Sequence, residues 1–131
     1  MRADYRSLPG FEDVQLEGSY VLGIEARPGK LMFRLDLLLD PAHPDYGSPL
    51  GGDRACFRPA VLCFDAVHGL TWFGQGDPPA RDASGEIDYG CIDEFTWVAG
   101  DFALVGDWGR IQVDSLQAPK LDLAVVHDPR P

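Results

Sequence analysis

The sequence predicts an all-β domain, a mainly antiparallel β-sandwich or flattened barrel. Three observations carry this reading. Apolar and polar residues alternate in several short runs, and period-two alternation marks strands with one buried face. Turn-forming residues separate the runs, with 15 glycines and 11 prolines in the chain. No amphipathic helix or βαβ pattern stands out, which leaves sheet packed on sheet. A chain of 131 residues fits one domain. That length buries roughly two-thirds of the unfolded surface, enough for a core without disulfide or metal.

Taken in order, residues 1–17 read as an N-terminal arm. Asp4, Arg6, Glu12, Asp13 and Glu17 surround few apolar groups, and Pro9-Gly10 is a turn signal, with a short strand around Val14–Leu16 at most. Ser19–Arg27 is the first full strand, with Tyr20, Leu22, Ile24 and Ala26 on one face. Pro28-Gly29 turns the chain, and Leu31–Leu39 answers with Leu31, Phe33, Leu35, Leu37 and Leu39 on one face and Arg34 and Asp36 on the other. Asp40–Arg54, rich in proline and glycine, is a long loop. Ala55–Val67 is expected as two strand segments, with Pro59, which cannot donate to a ladder, marking a break, a bulge or an edge. His68-Gly69 then turns into Leu70–Phe73, and Gln75–Gly85 is a second exposed loop. Glu86–Trp97 reads as short bent strand pieces punctuated by glycine. Phe102–Asp107 and Ile111–Asp114 alternate on either side of Gly106-Asp107-Trp108-Gly109, a hairpin turn. A last strand, Leu121–Val126, follows Pro119, and Asp128–Pro131 is a tail.

The charge balance narrows the function. Twenty-one acids against 11 bases give a net charge of −10. Proteins that bind nucleic acid or anionic membranes concentrate Lys and Arg. No basic cluster occurs here, so neither partner is expected. The acidity suits solubility or a basic protein partner. No window approaches the ~20 apolar residues of a membrane span. MRADYRSLPG has no signal-peptide pattern. Three cysteines, without a CxxC pair, argue against a secreted disulfide framework and for a reducing cytoplasm.

Candidate site residues fall in two places. His43, Asp45 and Tyr46 lie in the first long loop, where a His and an Asp two apart can act as an acid/base pair or hold a metal. Turn chemistry explains the same residues. Asp82, Glu86, Asp88, Asp93 and Glu94 form an acidic run across Gly85 and Gly90. Oxygen-rich loops suit Ca²⁺ or Mg²⁺, but the EF-hand pattern is absent. Cys56, Cys63 and Cys91 with His68 lack zinc-knuckle spacing. Cys63 sits between Leu62 and Phe64, as a buried inert thiol would, and Cys91 is the cysteine expected nearest the surface. The aromatic residues Trp72, Trp97, Trp108, Tyr20, Tyr46 and Tyr89 suit a β core better than a binding face. No nucleophile elbow, P-loop or dinucleotide fingerprint is present. No catalytic residue, metal or cofactor is therefore expected.

Gly85-Glu86-Ile87-Asp88-Tyr89-Gly90 and Gly106-Asp107-Trp108-Gly109, within Ser19–Ser115, resemble small bacterial all-β proteins of unknown function. They also resemble, more faintly, the acidic single-domain immunity proteins that neutralise secreted toxins. The resemblance implies a cytoplasmic, non-enzymatic binding module with a basic protein partner. The alternative is a small enzyme or a ligand- or metal-binding protein using His43/Asp45 or the Asp82–Glu94 acids.

Overall fold

The leucine-rich alternation becomes the middle of one sheet. In the computed structural model, which describes residues 2–44, 46–47, 56–74, 80–81 and 87–123, Leu31, Phe33, Leu35, Leu37 and Leu39 of β3 (Lys30–Leu39) are all at most 2% exposed. On one side β3 pairs with β2 (Val14–Arg27) through a two-residue hairpin, where Gly29 takes φ 78°, a conformation glycine adopts without strain. On the other side it pairs with β4 (Phe57–Phe64), and β11 (Lys120–Leu123) closes a four-stranded sheet in the order β11-β4-β3-β2.

The second sheet has five strands in the order β1-β8-β9-β10-β5. These are β1 (Ala3–Asp4), β8 (Ile92–Val98), β9 (Asp101–Gly106), β10 (Gly109–Ser115) and β5 (Val67–Phe73). A two-stranded ribbon joins β6 (Ala80–Arg81) to β7 (Ile87–Asp88). All pairings among the described residues are antiparallel. The sheets face each other without closing into a barrel, so of the two architectures expected the sandwich is the one adopted. Aromatic rings from both sheets interlock between them. Phe64 of the first meets Phe102 of the second edge-on at 5.3 Å, and Phe33 meets Trp108 at 5.3 Å.

Five local expectations are corrected. The N-terminal segment is not an arm: Tyr5, Leu8, Phe11, Val14 and Leu16 are buried. Its charges lie outside this apolar set. Arg6 stacks over the Tyr5 ring at 4.7 Å and pairs with Glu17 at 2.9 Å, while Tyr5 donates its hydroxyl proton to Glu17 and accepts from the Leu16 N–H at 3.1 Å.

In β2, Tyr20 and Leu22 do not face the core. They are 43% and 40% exposed, whereas Val21 is fully buried. Two β-bulges cause this, between Gln15 and Tyr20 and between Val21 and Gly23. An unpaired residue shifts the inside–outside phase by one, so Val21 and then Ile24 point inward.

Pro59 does not break β4, which runs unbroken and sets Pro59 opposite Asp36. Among the described residues its pairing with β11 ends at Ala60, so Pro59 stands beyond that ladder. Nor does the chain turn at His68-Gly69, which lie inside β5. The turn is Asp65-Ala66, carrying the chain from one sheet to the other. Asp65 accepts from the Cys63 thiol at 3.1 Å and pairs with Lys30 at 3.6 Å, and the Val67 N–H donates to the Gly29 carbonyl at 3.1 Å.

Within the expected loop 75–85, Ala80–Arg81 is a strand. The last strand is described to Leu123; the expected continuation to Val126 and the tail 128–131 lie outside the described residues. No helix is long and apolar enough to cross a membrane among the described residues.

Candidate functional site: an acidic end and an apolar sheet face

The acidic end is built where β8 begins. Gly90, at φ 80°, delivers the chain into β8, and its carbonyl accepts from the Val21 N–H at 2.8 Å while the Tyr89 N–H donates to the Val21 carbonyl at 2.9 Å. The bulged strand β2 is thereby tied to the second sheet. A Cβ on Gly90 would approach the Asp107 carboxylate to 2.6 Å, so the Asp107 side chain lies directly over this glycine. Asp107 belongs to the β9–β10 turn. Its neighbour Trp108 tucks inward, 3% exposed, and donates its indole N–H to the Cys91 carbonyl at 3.2 Å. The turn and the start of β8 are thus one packed unit.

On that unit, β8 bulges between Ile92 and Glu94, opposite Gly106 and Val105. A bulge leaves one residue unpaired and re-aims its side chain. Here Asp93 and Glu94, consecutive in sequence, are both exposed. Asp107, which follows Gly106 opposite Ile92 in the register, is exposed as well. None of the three forms an ion pair with a described residue. The nearest cation in register is Arg110, one strand beyond Val105 in the row Glu94–Val105–Arg110. The structure therefore brings Asp93 and Glu94 together and adds Asp107, which the sequence reading had treated as a turn residue. Asp88 ends β7, two residues before Gly90. Asp82, Glu86 and Asp45 lie outside the described residues.

His43 and Tyr46 belong to the other sheet, in the connection after β3. The His43 N–H donates to the Asp40 carbonyl at 2.9 Å and the Tyr46 N–H to the His43 carbonyl at 3.0 Å, forming two successive turns. His43 is half-buried and Tyr46 is 38% exposed. Among the described residues no group of three or more His, Cys, Asp or Glu side chains is placed to hold a metal ion.

The three cysteines form no disulfide with one another; Cys56 and Cys63 are buried and Cys91 is partly exposed, as expected for Cys63 and Cys91. Burial, reinforced by the hydrogen bond to Asp65, pushes the Cys63 thiol up to about 11. The same bond holds the Asp65 carboxylate below its usual range. A thiol so raised is a poor nucleophile near neutral pH.

A second surface was not foreseen. The outer face of the four-stranded sheet mixes apolar side chains, Tyr20 and Leu22 on β2, Met32 and Leu38 on β3, Phe57 and Val61 on β4, with the charged residues Glu25, Arg34, Asp36, Lys120 and Asp122. Tyr20 and Phe57 lean together across β3, with ring centroids 5.8 Å apart. Two shallow depressions of about 500 and 320 Å³ meet at Arg34 and Val61. Arg34 lies over Gly23, donates weakly to the Leu22 carbonyl at 3.4 Å, and makes no ion pair with a described residue. The signal in the sequence was the outward row of β4, Phe57, Pro59, Val61 and Cys63, which carries no charge.

Comparison with known proteins gives no relative: no protein-family model, no curated protein and no solved structure matches this chain.

Proposed function

We propose that the protein is a cytoplasmic, non-enzymatic binding module whose acidic end engages a basic protein partner, in the manner of an immunity-type inhibitor. The supporting observation is the exposed group Asp93, Glu94 and Asp107, held on a rigid bulge-and-turn unit and uncompensated by any described cation. Like charges fixed close together repel one another, and an opposite partner removes that cost and speeds encounter. The chain's net charge of −10 extends the same attraction to longer range. Burial of Trp108 beneath the group holds its geometry before binding, so little ordering entropy is lost on association.

The test is affinity capture from the source cells at ~50 and ~500 mM salt, using the natural chain and an Asp93→Lys/Glu94→Lys variant. The expected result is a basic protein retained by the natural chain at low salt, released at high salt, and absent with the variant. Equal retention by both chains, or no salt-sensitive partner, rejects the reading.

A further inference from the structure

We propose that the outer face of the four-stranded sheet binds a small carboxylic acid with an apolar body, its carboxylate held by Arg34. The proposal is independent of the acidic end, which lies on the other sheet.

The second bulge of β2 builds the seat. It sets Gly23 opposite Arg34, and on the far side of β3 Arg34 stands opposite Val61. A Cβ on Gly23 would lie 2.7 Å from the Arg34 Nη2, 3.1 Å from its Nε and 3.2 Å from its Cζ. The guanidinium therefore lies over the bare backbone of this glycine, in space that any side chain would take. Nη2 donates to the Leu22 carbonyl at 3.4 Å, a long and weak bond. The other N–H groups of Arg34 have no partner among the described residues. Beside this head is the depression of about 500 Å³, whose apolar lining is Ile24, Met32 and Val61. That volume lies within the range of small-molecule sites.

Charge selects the occupant. Glu25 also lines the depression, but its carboxylate already accepts two bonds from Arg27, at 3.0 and 2.6 Å. Asp36, next in the outward row of β3, is engaged as well. Asp122 lies across Val61, on the next strand, and lines the neighbouring depression instead. The uncompensated charge of the larger depression is thus the guanidinium of Arg34. Its planar fork presents two parallel N–H donors, the geometry that a carboxylate accepts. The apolar lining beside it suits a hydrocarbon or aromatic body.

Size and net charge favour a small acid over an acidic protein. A standard protein interface buries about 800 Å² per partner, which the six residues of this depression do not supply. A net charge of −10 repels a polyanion strongly and a single carboxylate weakly.

The experiment is an NMR titration of the isotope-labelled chain with phenylacetate to ~20 mM at low salt, with phenylacetamide and acetate as companion ligands. The expected result is saturable shifts of the Gly23, Arg34 and Val61 amides, with a Kd of roughly 1–5 mM, ordinary for a ligand this small at an open site. Phenylacetamide lacks the charge and acetate lacks the body; each is expected to bind at least tenfold more weakly. Arg34→Gln, at an exposed position, should weaken phenylacetate binding at least tenfold. Gly23→Ala keeps the charge but pushes the guanidinium off its seat. Gly23 has no positive φ, so this variant should fold with an unchanged circular dichroism spectrum and bind several-fold more weakly. Arg110→Gln removes the same charge from the other sheet and should leave binding unchanged. Absence of saturable shifts at ~20 mM overturns the proposal, as does equal binding of phenylacetate and its amide. So does full binding by Arg34→Gln, or equal losses from Arg34→Gln and Arg110→Gln.

Discussion

Removing one hydroxyl tests how β2 is bent. Ser19 is 1% exposed at the first β2 bulge. Its Oγ donates to the Gln15 carbonyl at 2.7 Å and accepts from the Leu38 N–H at 2.8 Å. The side chain thus replaces two ladder partners that the bulge removes. Ser19→Ala leaves both groups without their partner at a part-buried site. An unsatisfied buried group costs about 1–3 kcal/mol. The carbonyl, with two lone pairs, falls at the low end, so the expected loss is about 2–4 kcal/mol in all. At about 2.1 cal/mol/K of unfolding entropy per residue, each kcal/mol lowers Tm by roughly 4 °C for 131 residues. Tm should therefore fall by roughly 7–15 °C. Urea unfolding followed by tryptophan fluorescence, with thermal circular dichroism, measures both quantities. A loss under about 0.5 kcal/mol at unchanged m-value would show that the hydroxyl is not what completes the bulge.

Three further outcomes are expected. Gly90→Ala places a side chain at φ 80° and against the Asp107 carboxylate, so chemical denaturation should show a loss of about 1–3 kcal/mol. Glu17 titrates below its usual range: burial raises it, but the Tyr5 hydroxyl, a backbone N–H and Arg6 outweigh that. The stability this adds is present above the unfolded value of about 4.5 and lost as pH falls through the lowered folded value, so Glu17→Gln should flatten part of the acid limb in urea titrations between pH 6 and pH 3. Cys63, at about 11 against an ordinary 9.0, holds roughly a hundredth of the usual thiolate at pH 8. A disulfide reagent should therefore modify partly exposed Cys91 first, and comparable rates at both sites would contradict the Cys63–Asp65 bond.

How far the sequence could be read depended on whether one period governed a segment. Leu31–Leu39 alternates without interruption, so its buried face was legible residue by residue. The β2 phase was not, because Leu22 is an extra residue and sequence alternation carries no mark of a bulge. The N-terminal segment misled for a related reason. Tyr5, Leu8, Phe11 and Val14 are spaced by threes through turns, matching neither strand nor helix period, and the charges between them dominate the composition. Trp108 looked like a turn residue and is one, yet its ring reaches the core beside Phe33. At the acidic end, Asp93 and Glu94 were visible as acids, but their joint exposure follows from the β8 bulge. Asp107 joins them through hairpin geometry. The apolar outer face of β4 was written in Phe57, Val61 and Cys63, and Pro59 concealed it by suggesting a break.

The most direct measurement separates a placed acidic surface from acidity in general. Two variants, Asp93→Lys/Glu94→Lys and Glu12→Lys/Asp13→Lys, each exchange two adjacent acids for lysines and bring the net charge from −10 to −6. Binding of the captured basic partner is then measured for both by surface plasmon resonance at ~150 mM salt. The account predicts that reversal at Asp93 and Glu94 weakens binding at least a hundredfold, while reversal at Glu12 and Asp13 slows association by no more than a few-fold and leaves dissociation unchanged. Equal losses from the two variants would contradict it, showing that the partner reads net charge and that the β8 bulge holds no binding surface.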